Sequence, residues 1–410
     1  MTTLTKSDAA ATARSGVPSL VWLILFAGFW IKCAQYFTVP FLAVFLAKNT
    51  ALSLPVIGMI VGAQPFAALA GGFLGGHLSD KFGRRRILFV SLIGSSLAYF
   101  GFFLAARHLA GGATAVVGFA LLNLCAGWFA SFFWPATQAL IADLLSDQQR
   151  PLIYRYRYVS TNIGGGLGPL LGVFLGIAAA STAFLVTALS YAAFLVIFYF
   201  LSHQIPRHDR GQGAHKSLRA AVQVLRQDRA LRWLLLSAIL FGVSYAQIES
   251  NLSQLMYRAF PDGVQFFSLL ITLNAVCVVA LQPVAGWVEK RISAKHMMLL
   301  GTAVFCSGCL AMAAFPGAKA AFMVGIFVIT LGEVLVVPTL SVLVDELAPS
   351  GMRGSYFGAA SLRQLGPTIG PALGGVMLSG IGATALFVSM ALVGVASAFF
   401  IGITGKGERQ

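Results

Sequence analysis

Long apolar stretches recur along the chain, and each is about as long as a helix that crosses a bilayer. Apolar residues make up 58% of the 410 residues and charged residues only 10%, against roughly 45–50% and 25% in soluble domains. A soluble domain could not bury that much apolar surface. We therefore predict an all-α membrane protein with twelve transmembrane helices, here called spans 1 to 12, near residues 19–46, 54–78, 87–106, 114–142, 158–179, 182–201, 232–256, 264–288, 297–314, 320–344, 354–379 and 382–403.

The net charge of +15 is distributed unevenly between the two sides of the predicted bundle. If the N-terminus is cytoplasmic, 23 of the 28 Lys and Arg residues fall in cytoplasmic segments. Only Lys48, Arg107, Arg258 and Lys319 fall on the opposite face, and Lys32 lies within span 1. This excess follows the positive-inside rule. It predicts an integral protein of a bacterial inner (plasma) membrane with both termini in the cytoplasm, surrounded by membrane lipid and without a nucleic-acid partner.

The chain reads as a duplicated unit. Its longest polar stretch predicts a cytoplasmic linker at 202–231, between an N-terminal six-helix bundle at 1–201 and a C-terminal six-helix bundle at 232–410. Two motifs recur in matching places of the two halves. The first has a Pro, an acid eight residues later and an Arg fifteen residues later, as Pro135, Asp143 and Arg150 and as Pro338, Glu346 and Arg353. The second places glycines four residues apart around a Pro, which allows close helix packing, as Gly164, Gly168, Pro169 and Gly172 and as Gly366, Gly370, Pro371 and Gly374.

A short basic turn, Gly76-x-x-x-Asp80-Lys-x-Gly83-Arg84-Arg85, joins spans 2 and 3. Gly83 permits the backbone angles of a tight turn, and Asp80 can pair with nearby guanidinium groups. An ion pair at the membrane edge can break and reform, which suits a latch between two conformations; the alternative is that the arginines only fix topology. The predicted latch comprises Gly76, Asp80, Gly83 and Arg84 with Asp143 and Arg150. The corresponding turn at 286–291 keeps an acid and bases but lacks the second glycine, so we expect a weaker latch there.

This turn and the two-half arrangement resemble the major facilitator superfamily over essentially the whole chain. The Gly168-Pro169 segment of span 5 is similar to the signature of its drug:proton antiporter branch. The resemblance implies two pseudo-symmetric six-helix bundles in which spans 1, 4, 7 and 10 line a central cavity, and it implies that the span 5 motif seals the protein against leak. The chain departs from that branch in span 4, where Asn123 stands in the place of an arginine, four residues before Gly127.

Three charged residues lie well inside apolar spans: Lys32 in span 1, Glu249 in span 7 and Glu333 in span 10. A charge at the bilayer centre costs about 2.5–3.5 kcal/mol and persists where it faces a water-filled cavity or a partner. We hypothesise that Glu249 or Glu333 takes up and releases a proton, because a carboxyl group removed from water favours its protonated form. Lys32 would compete with that proton or bind an anionic group, and an ion pair between Lys32 and Glu333 is geometrically reasonable. The alternative is a permanent Lys–Glu pair that holds the halves together.

Aromatic and polar residues accompany these charges in the predicted cavity. The helical faces of Lys32 and Glu249 also carry Gln35, Tyr36 and Tyr245. In span 4, Trp128 and Trp134 are candidates for contact with substrate. A large apolar wall with few polar anchors suits an amphipathic organic molecule better than a sugar or an inorganic ion.

Together these features predict a monomeric secondary transporter that exports a small amphipathic organic compound in exchange for protons by alternating access. Within transport, the alternative is uptake of an anionic or amphipathic metabolite by proton symport, with Lys32 as the anion anchor. A receptor or scaffold that transports nothing is the alternative of a different class. The sequence has no phosphate-binding loop, metal-ligand pattern or nucleophile constellation, so we expect neither an enzyme nor a cofactor.

Overall fold

The structure is a computed structural model, and it describes residues 16–108, 112–146, 149–202, 218–349 and 352–404. Within these ranges the chain forms helices joined by turns. The helices are Ser19–Tyr36 and Leu42–Asn49 (span 1), Leu54–Phe82 (span 2), Arg84–His108 (span 3), Gly112–Leu144 (span 4), Arg150–Phe174 (span 5), Ser181–Leu201 (span 6), Leu218–Gln227 (the linker helix), Arg229–Glu249 and Asn251–Ala259 (span 7), Gly263–Glu289 (span 8), Ala294–Ala314 (span 9), Lys319–Leu347 (span 10), Arg353–Ala360 and Leu365–Gly380 (span 11) and Ala383–Ile403 (span 12).

Within the described ranges, ten of these spans are long and apolar enough on their own to cross a membrane. The other two are span 5, whose first turns are polar, and span 11, which a short 3-10 helix at Ser361–Gln364 interrupts. Both are held by their neighbours, because span 5 packs along spans 1 and 8 and span 11 packs along spans 2 and 7. The predicted all-α fold of twelve spans in two six-helix bundles is confirmed.

Each half has a hydrophobic core of its own. Buried side chains of spans 1 to 6 form one cluster, and those of spans 7 to 12 form most of a second. The halves meet where span 2 packs on span 11 and span 5 packs on span 8. We call the side that carries the 82–84 turn and the first and last described residues, Gly16 and Thr404, the termini side. The side that carries the loops at 50–53, 175–180 and 260–262 is the far side.

Spans 1 and 7 are both broken in the part nearer the far side. The first helix of span 1 ends at Tyr36, and the backbone passes through a 3-10 turn that contains Pro40, which has no N–H to continue an α-helix. The first helix of span 7 ends at Glu249, and Ser250 separates it from the next segment. The two breaks therefore place Tyr36 and Glu249 at corresponding helix ends in the two halves.

Beyond the breaks, the two halves close against each other on the far side. The segments Leu42–Asn49 of span 1 and Asn251–Ala259 of span 7 are in contact. Next to them, the rings of Phe41 and Phe267 pack edge to face with centroids 5.7 Å apart, a favourable aromatic geometry. This conformation is therefore closed on the far side.

The linker helix lies on the termini side, against the first helix of span 11. Its Val224 is buried. After the helix, the Asp228 carboxylate caps span 7 by accepting the backbone N–H of Leu231 at 2.9 Å, and it also accepts the hydroxyl of Tyr356 at 2.7 Å. The end of the linker is thus fixed to the C-terminal half, whereas residues 203–217 of the predicted linker lie outside the described residues.

Candidate transport site

A hydrogen bond joins the two halves where the first helices of spans 1 and 7 end. The hydroxyl of Tyr36, the last residue of the first helix of span 1, donates to Glu249 Oε1 at 2.6 Å. Lys32 lies one helical turn earlier, and its Nζ is 4.0 Å from the centroid of the Tyr36 ring, within the range of a cation–π interaction. Lys32 also interacts electrostatically with Glu249. The three side chains therefore form one connected group across the halves.

Glu333 has a different environment, made of neutral hydrogen-bond donors. Its Oε2 accepts the side-chain amide of Asn274 at 2.7 Å, and that amide also donates to Thr330 Oγ1 at 2.9 Å. The hydroxyl of Tyr245 is a further hydrogen-bonding neighbour of the same carboxyl group. Glu333 is only 8% exposed, so neutral groups replace most of the water around it.

The two carboxyl groups are close enough to interact electrostatically with each other. Within the described part of the chain, the charge of Lys32 acts on Glu249, and Lys32 forms no ion pair with Glu333. The direct pair between Lys32 and Glu333 that seemed geometrically reasonable from the sequence is therefore absent from this conformation. Tyr36 lies beside Lys32 instead: its ring contacts the ammonium group, and its hydroxyl donates to Glu249.

Helical periodicity groups Gln35 with Lys32 and Tyr36, but in the structure the Gln35 side chain points away from them, into the core of the N-terminal half. Its side-chain amide donates to the Tyr191 hydroxyl at 2.7 Å, inside the core of the N-terminal half, and Gln35 is buried. The residue holds span 1 against span 6. Gln247 of span 7 is also buried and donates to the backbone carbonyl of Gly370 in span 11 at 2.8 Å.

The two tryptophans of span 4 have different neighbours. Trp128 packs on Phe132 with centroids 5.4 Å apart, at the edge of the N-terminal core. Trp134 lies beside Arg157 of span 5, whose guanidinium carbon is 5.4 Å from the ring centroid. Arg157 also donates to the Trp134 carbonyl oxygen at 3.0 Å. Of the two, Trp134 is the one paired with a cation.

Asn123, which replaces the arginine of the resembled branch, has a packing role here. It is buried, and its side-chain amide donates to the backbone carbonyl oxygens of Ile60 and Val61 in span 2, at 2.7 and 3.2 Å. The side chain thus ties span 4 to span 2. A neutral amide cannot exchange a proton as a cavity charge can, so the ionisable groups of this site are those of spans 1, 7 and 10.

Two of the residues predicted to form the latch, Arg84 and Asp143, are in contact on the termini side. Gly83 ends span 2 with φ of 89°, a left-handed conformation that glycine adopts readily. This turn brings the Arg84 Nε to 3.1 Å from Asp143 Oδ2 at the end of span 4. Arg84 also donates to Ser79 Oγ at 3.2 Å. The backbone of Gly76 lies within span 2, whereas the side chains of Asp80 and Arg150 lie outside the described residues.

In the corresponding turn of the second half, the arginine has an aromatic neighbour. The guanidinium carbon of Arg291 is 3.5 Å from the centroid of the Trp287 ring. Among the described residues, Glu289 and Arg291 form no ion pair with each other. The two halves therefore use different contacts at this position.

The repeated glycine motifs pack the spans within each half. A Cβ added to Gly164 would lie 2.5 Å from the Phe29 carbonyl oxygen of span 1, and one added to Gly168 would lie 2.6 Å from the Cys33 carbonyl oxygen. Gly366, Gly370 and Gly374 of span 11 face span 7 in the same way, whereas Gly172 has no comparably close neighbour. Pro169 and Pro371 lie inside their helices. The motif thus joins span 5 to span 1 and span 11 to span 7.

Two duplicated helical bundles with ionisable side chains between them define a membrane transport protein. The family model described as "Major Facilitator Superfamily" matches residues 24–363 and 251–408. The chain therefore belongs to the major facilitator superfamily, and the resemblance read from its motifs is confirmed. It is a transporter and not an enzyme.

Similar proteins agree with this membership. The chain is 30% identical over 368 residues to the uncharacterized MFS-type transporter YqjV of Bacillus subtilis, covering 88% of this chain and 87% of that protein. It is 26% identical over 372 residues to the Na(+), Li(+), K(+)/H(+) antiporter of Planococcus maritimus, covering 84% and 86%. A solved POT family transporter in complex with 5-aminolevulinic acid aligns with a TM-score of 0.80 at 13% identity, covering 95% of this chain and 96% of that one. That structural likeness supports the fold alone.

Proposed function

We propose that the protein exports a small amphipathic organic compound in exchange for protons, by alternating access, and that it works as a monomer in a bacterial inner membrane with both termini in the cytoplasm. The observation that carries the proposal is the set of charged side chains that spans 1, 7 and 10 place near each other. These are two carboxyl groups, Glu249 and Glu333, and one ammonium group, that of Lys32.

The charges of these three side chains sum to zero only when one carboxyl group is protonated. With Lys32 charged and both acids ionised, the three side chains carry a net charge of −1, which is costly away from water. One bound proton removes that charge. Glu249 lies beside Tyr36, whose ring Lys32 contacts, whereas Glu333 is buried among neutral hydrogen-bond donors. We therefore assign the proton to Glu333.

The same balance of charges favours a substrate that carries a positively charged group. Such a molecule restores neutrality at the ionised site, so proton and substrate exclude each other, as exchange requires. The ring of Trp134, half-buried on span 4, is suited to the apolar part of such a molecule, on surface that the Arg157 guanidinium group leaves free. The similar P. maritimus protein is named an antiporter, which supports exchange rather than symport.

Alternating access needs contacts that differ between the two open states. In this conformation, the Tyr36–Glu249 hydrogen bond and the aromatic contact of Phe41 with Phe267 hold the far side closed. The Arg84–Asp143 ion pair lies on the termini side and is suited to breaking and reforming during the cycle. We propose that Asp80 and Arg150 belong to the same latch. We also propose that 1–201 and 232–410 move as units joined by the linker at 202–231.

A second candidate function is proton symport of an anionic metabolite, and the observation that favours it is the ammonium group of Lys32 in the cavity. Lys32 already contacts the Tyr36 ring and is electrostatically paired with Glu249. An anion would have to compete with that acid. Exchange is therefore the function we propose first.

Transport by everted membrane vesicles tests the proposal and separates the two candidates. Vesicles containing the wild-type protein, with an acidic interior, are screened with a panel of amphipathic cations and anionic metabolites. Exchange predicts accumulation of substrate with proton release from the vesicle, whereas symport predicts that substrate and protons move in the same direction.

Three variants then test the mechanism with the substrate identified by the screen. E333Q is expected to lose acceleration by the proton gradient while retaining counterflow, and E249Q is expected to slow both. Glu289 is exposed on the termini side, so E289Q is the matched control and should behave as wild type. Undiminished proton-driven transport by both E249Q and E333Q would refute the coupling role, and the absence of any transported compound would favour the receptor or scaffold.

A further inference from the structure

A second charged site lies on the far side, outside the central cavity. A cavity of about 680 Å³ lies there between the two halves. The N-terminal half contributes Lys48, Val173 and Gly176 to its lining, and the C-terminal half contributes Tyr257, Arg258 and Phe260. The cavity therefore exists as one site only while the two halves are together on this side.

The charge of this cavity is entirely positive among the residues that line it. Lys48 and Arg258 are both exposed. Asp262 lies in the adjacent loop but binds Lys319, with Lys319 Nζ 2.6 Å from its Oδ1. Among the described residues, neither Lys48 nor Arg258 forms an ion pair with an acid, and the nearest aromatic partner of Lys48 is the Tyr257 ring, 5.9 Å away. Two cations thus face one space without a counter-charge.

Lys48 and Arg258 occupy corresponding positions in the two halves. Each is the residue before the last in the helical segment that follows the break, Leu42–Asn49 in span 1 and Asn251–Ala259 in span 7. Only four Lys or Arg residues were expected on this face of the membrane, where positive charge is disfavoured. Two of the four, Lys48 and Arg258, line this cavity.

A helix-end role alone does not account for the arrangement. A cation in the last turn of a helix interacts favourably with the helix dipole, and this could explain each residue singly. It gives no reason for both charges to share one cavity between the halves. A bound anion does, because its oxygens can accept hydrogen bonds from an ammonium and a guanidinium group together.

We propose that this cavity is an anion site that takes a phosphate or carboxylate group, held by Lys48 from one half and Arg258 from the other. A ligand that binds both cations bridges the halves and binds the far-side-closed conformation preferentially. By linkage, such a ligand stabilises that conformation, so an anion on the far side slows its opening. This regulation is independent of the identity of the transported compound. The group could come from a soluble anion or from the head group of an anionic lipid.

Binding of inorganic phosphate to the purified full-length protein tests the site. Thermal unfolding is followed while phosphate replaces chloride at constant ionic strength. Wild type is expected to show a saturable rise of the unfolding temperature, and K48Q/R258Q is expected to bind phosphate at least about tenfold more weakly. The charge-preserving variant K48R/R258K should retain binding. Arg107 is a far-side cation stacked on Phe103 at 4.5 Å, so R107Q is the matched control and should bind as wild type.

The two sources of the anion are separated by lipid addition. If a head group is the ligand, phosphatidylglycerol raises the unfolding temperature of wild type more than phosphatidylcholine does, and K48Q/R258Q removes the difference. If a soluble anion is the ligand, phosphate has its full effect in phosphatidylcholine alone. Equal phosphate stabilisation of wild type and K48Q/R258Q would overturn the proposal. So would the absence of saturable stabilisation of wild type by either phosphate or phosphatidylglycerol.

Discussion

Replacing Tyr36 with Phe removes a single hydroxyl group that joins the two halves. The hydroxyl donates to Glu249 Oε1 at 2.6 Å, whereas the ring that contacts Lys32 stays in place. The hydrogen bond can form only when the broken ends of spans 1 and 7 face each other. Y36F should therefore destabilise the far-side-closed conformation relative to the far-side-open one.

The size of the effect follows from the charge of the acceptor. A hydrogen bond to a charged group contributes about 1.5–3 kcal/mol, and both side chains here keep part of their surface exposed, which favours the lower end. A loss of about 1.4 kcal/mol shifts the equilibrium between the two conformations about tenfold. In a double-mutant cycle, Y36F and E249Q should couple by about 1–2 kcal/mol because they share one bond.

Distances between spin labels on the two halves measure this shift. Labels at Ala51 and Gly317, in exposed far-side loops of the N-terminal and C-terminal halves, should show a larger far-side-open population in Y36F than in wild type. Tyr199 is 62% exposed on span 6, so Y199F removes a hydroxyl outside the site and should leave the distribution unchanged. Identical distributions for Y36F and wild type, or strictly additive effects of Y36F and E249Q, would refute the role assigned to this bond.

Two further predictions concern the latch and the glycine packing. D143N removes the negative charge that pairs with Arg84 and should lower the free energy of unfolding by about 1 kcal/mol, as measured by thermal unfolding in detergent. D262N, in a more exposed pair, should change it by less than about 0.5 kcal/mol. G168A places a Cβ 2.6 Å from a backbone carbonyl oxygen and should cost about 1–3 kcal/mol, whereas G172A, with its nearest neighbour at 3.6 Å, should be tolerated. Equal effects of D143N and D262N would contradict the first prediction. Tolerance of G168A would contradict the second.

The spans and the repeat could be predicted from the sequence because both depend on local pattern. Apolar length determines where a helix can cross the bilayer. The spacing of Gly164 and Gly168 recurs in span 11 as Gly366 and Gly370, and both pairs lie where two helices approach closely. The structure differs from the predicted spans mainly in the residues at which the helices begin and end. Span 2, for example, continues to Phe82, at the turn before Gly83.

The partners of the cavity charges could not be predicted in the same way. Helical periodicity groups Gln35 with Lys32, but span 1 has packed neighbours on several sides, and the Tyr191 hydroxyl draws Gln35 into the core. The amide of Asn274 that binds Glu333 comes from span 8, and no spacing in one sequence relates span 8 to span 10. A lone Asn inside an apolar span is nevertheless a signal, since an unpaired amide in the membrane is costly.

The sequence pattern also does not predict both breaks, in span 1 and in span 7. Pro40 indicates one of them, but the break at Ser250 has neither Pro nor Gly beside it. The Asn251–Ala259 segment after this break packs against spans 1 and 8, and a local pattern does not show such tertiary contacts. The positions of Tyr36 and Glu249 relative to each other depend on both breaks, so the bond between them emerges only in the folded chain.

Exchange of one proton for one substrate molecule at Glu333 is tested most directly by counting the protons released when substrate binds. The purified protein is titrated with the compound identified in the vesicle screen, by calorimetry in two buffers with different enthalpies of ionisation. The charge balance of the cavity predicts release of about one proton by wild type and by E289Q, and none by E333Q. Unchanged proton release from E333Q, with substrate still bound, would contradict the assignment of the proton to this carboxyl group.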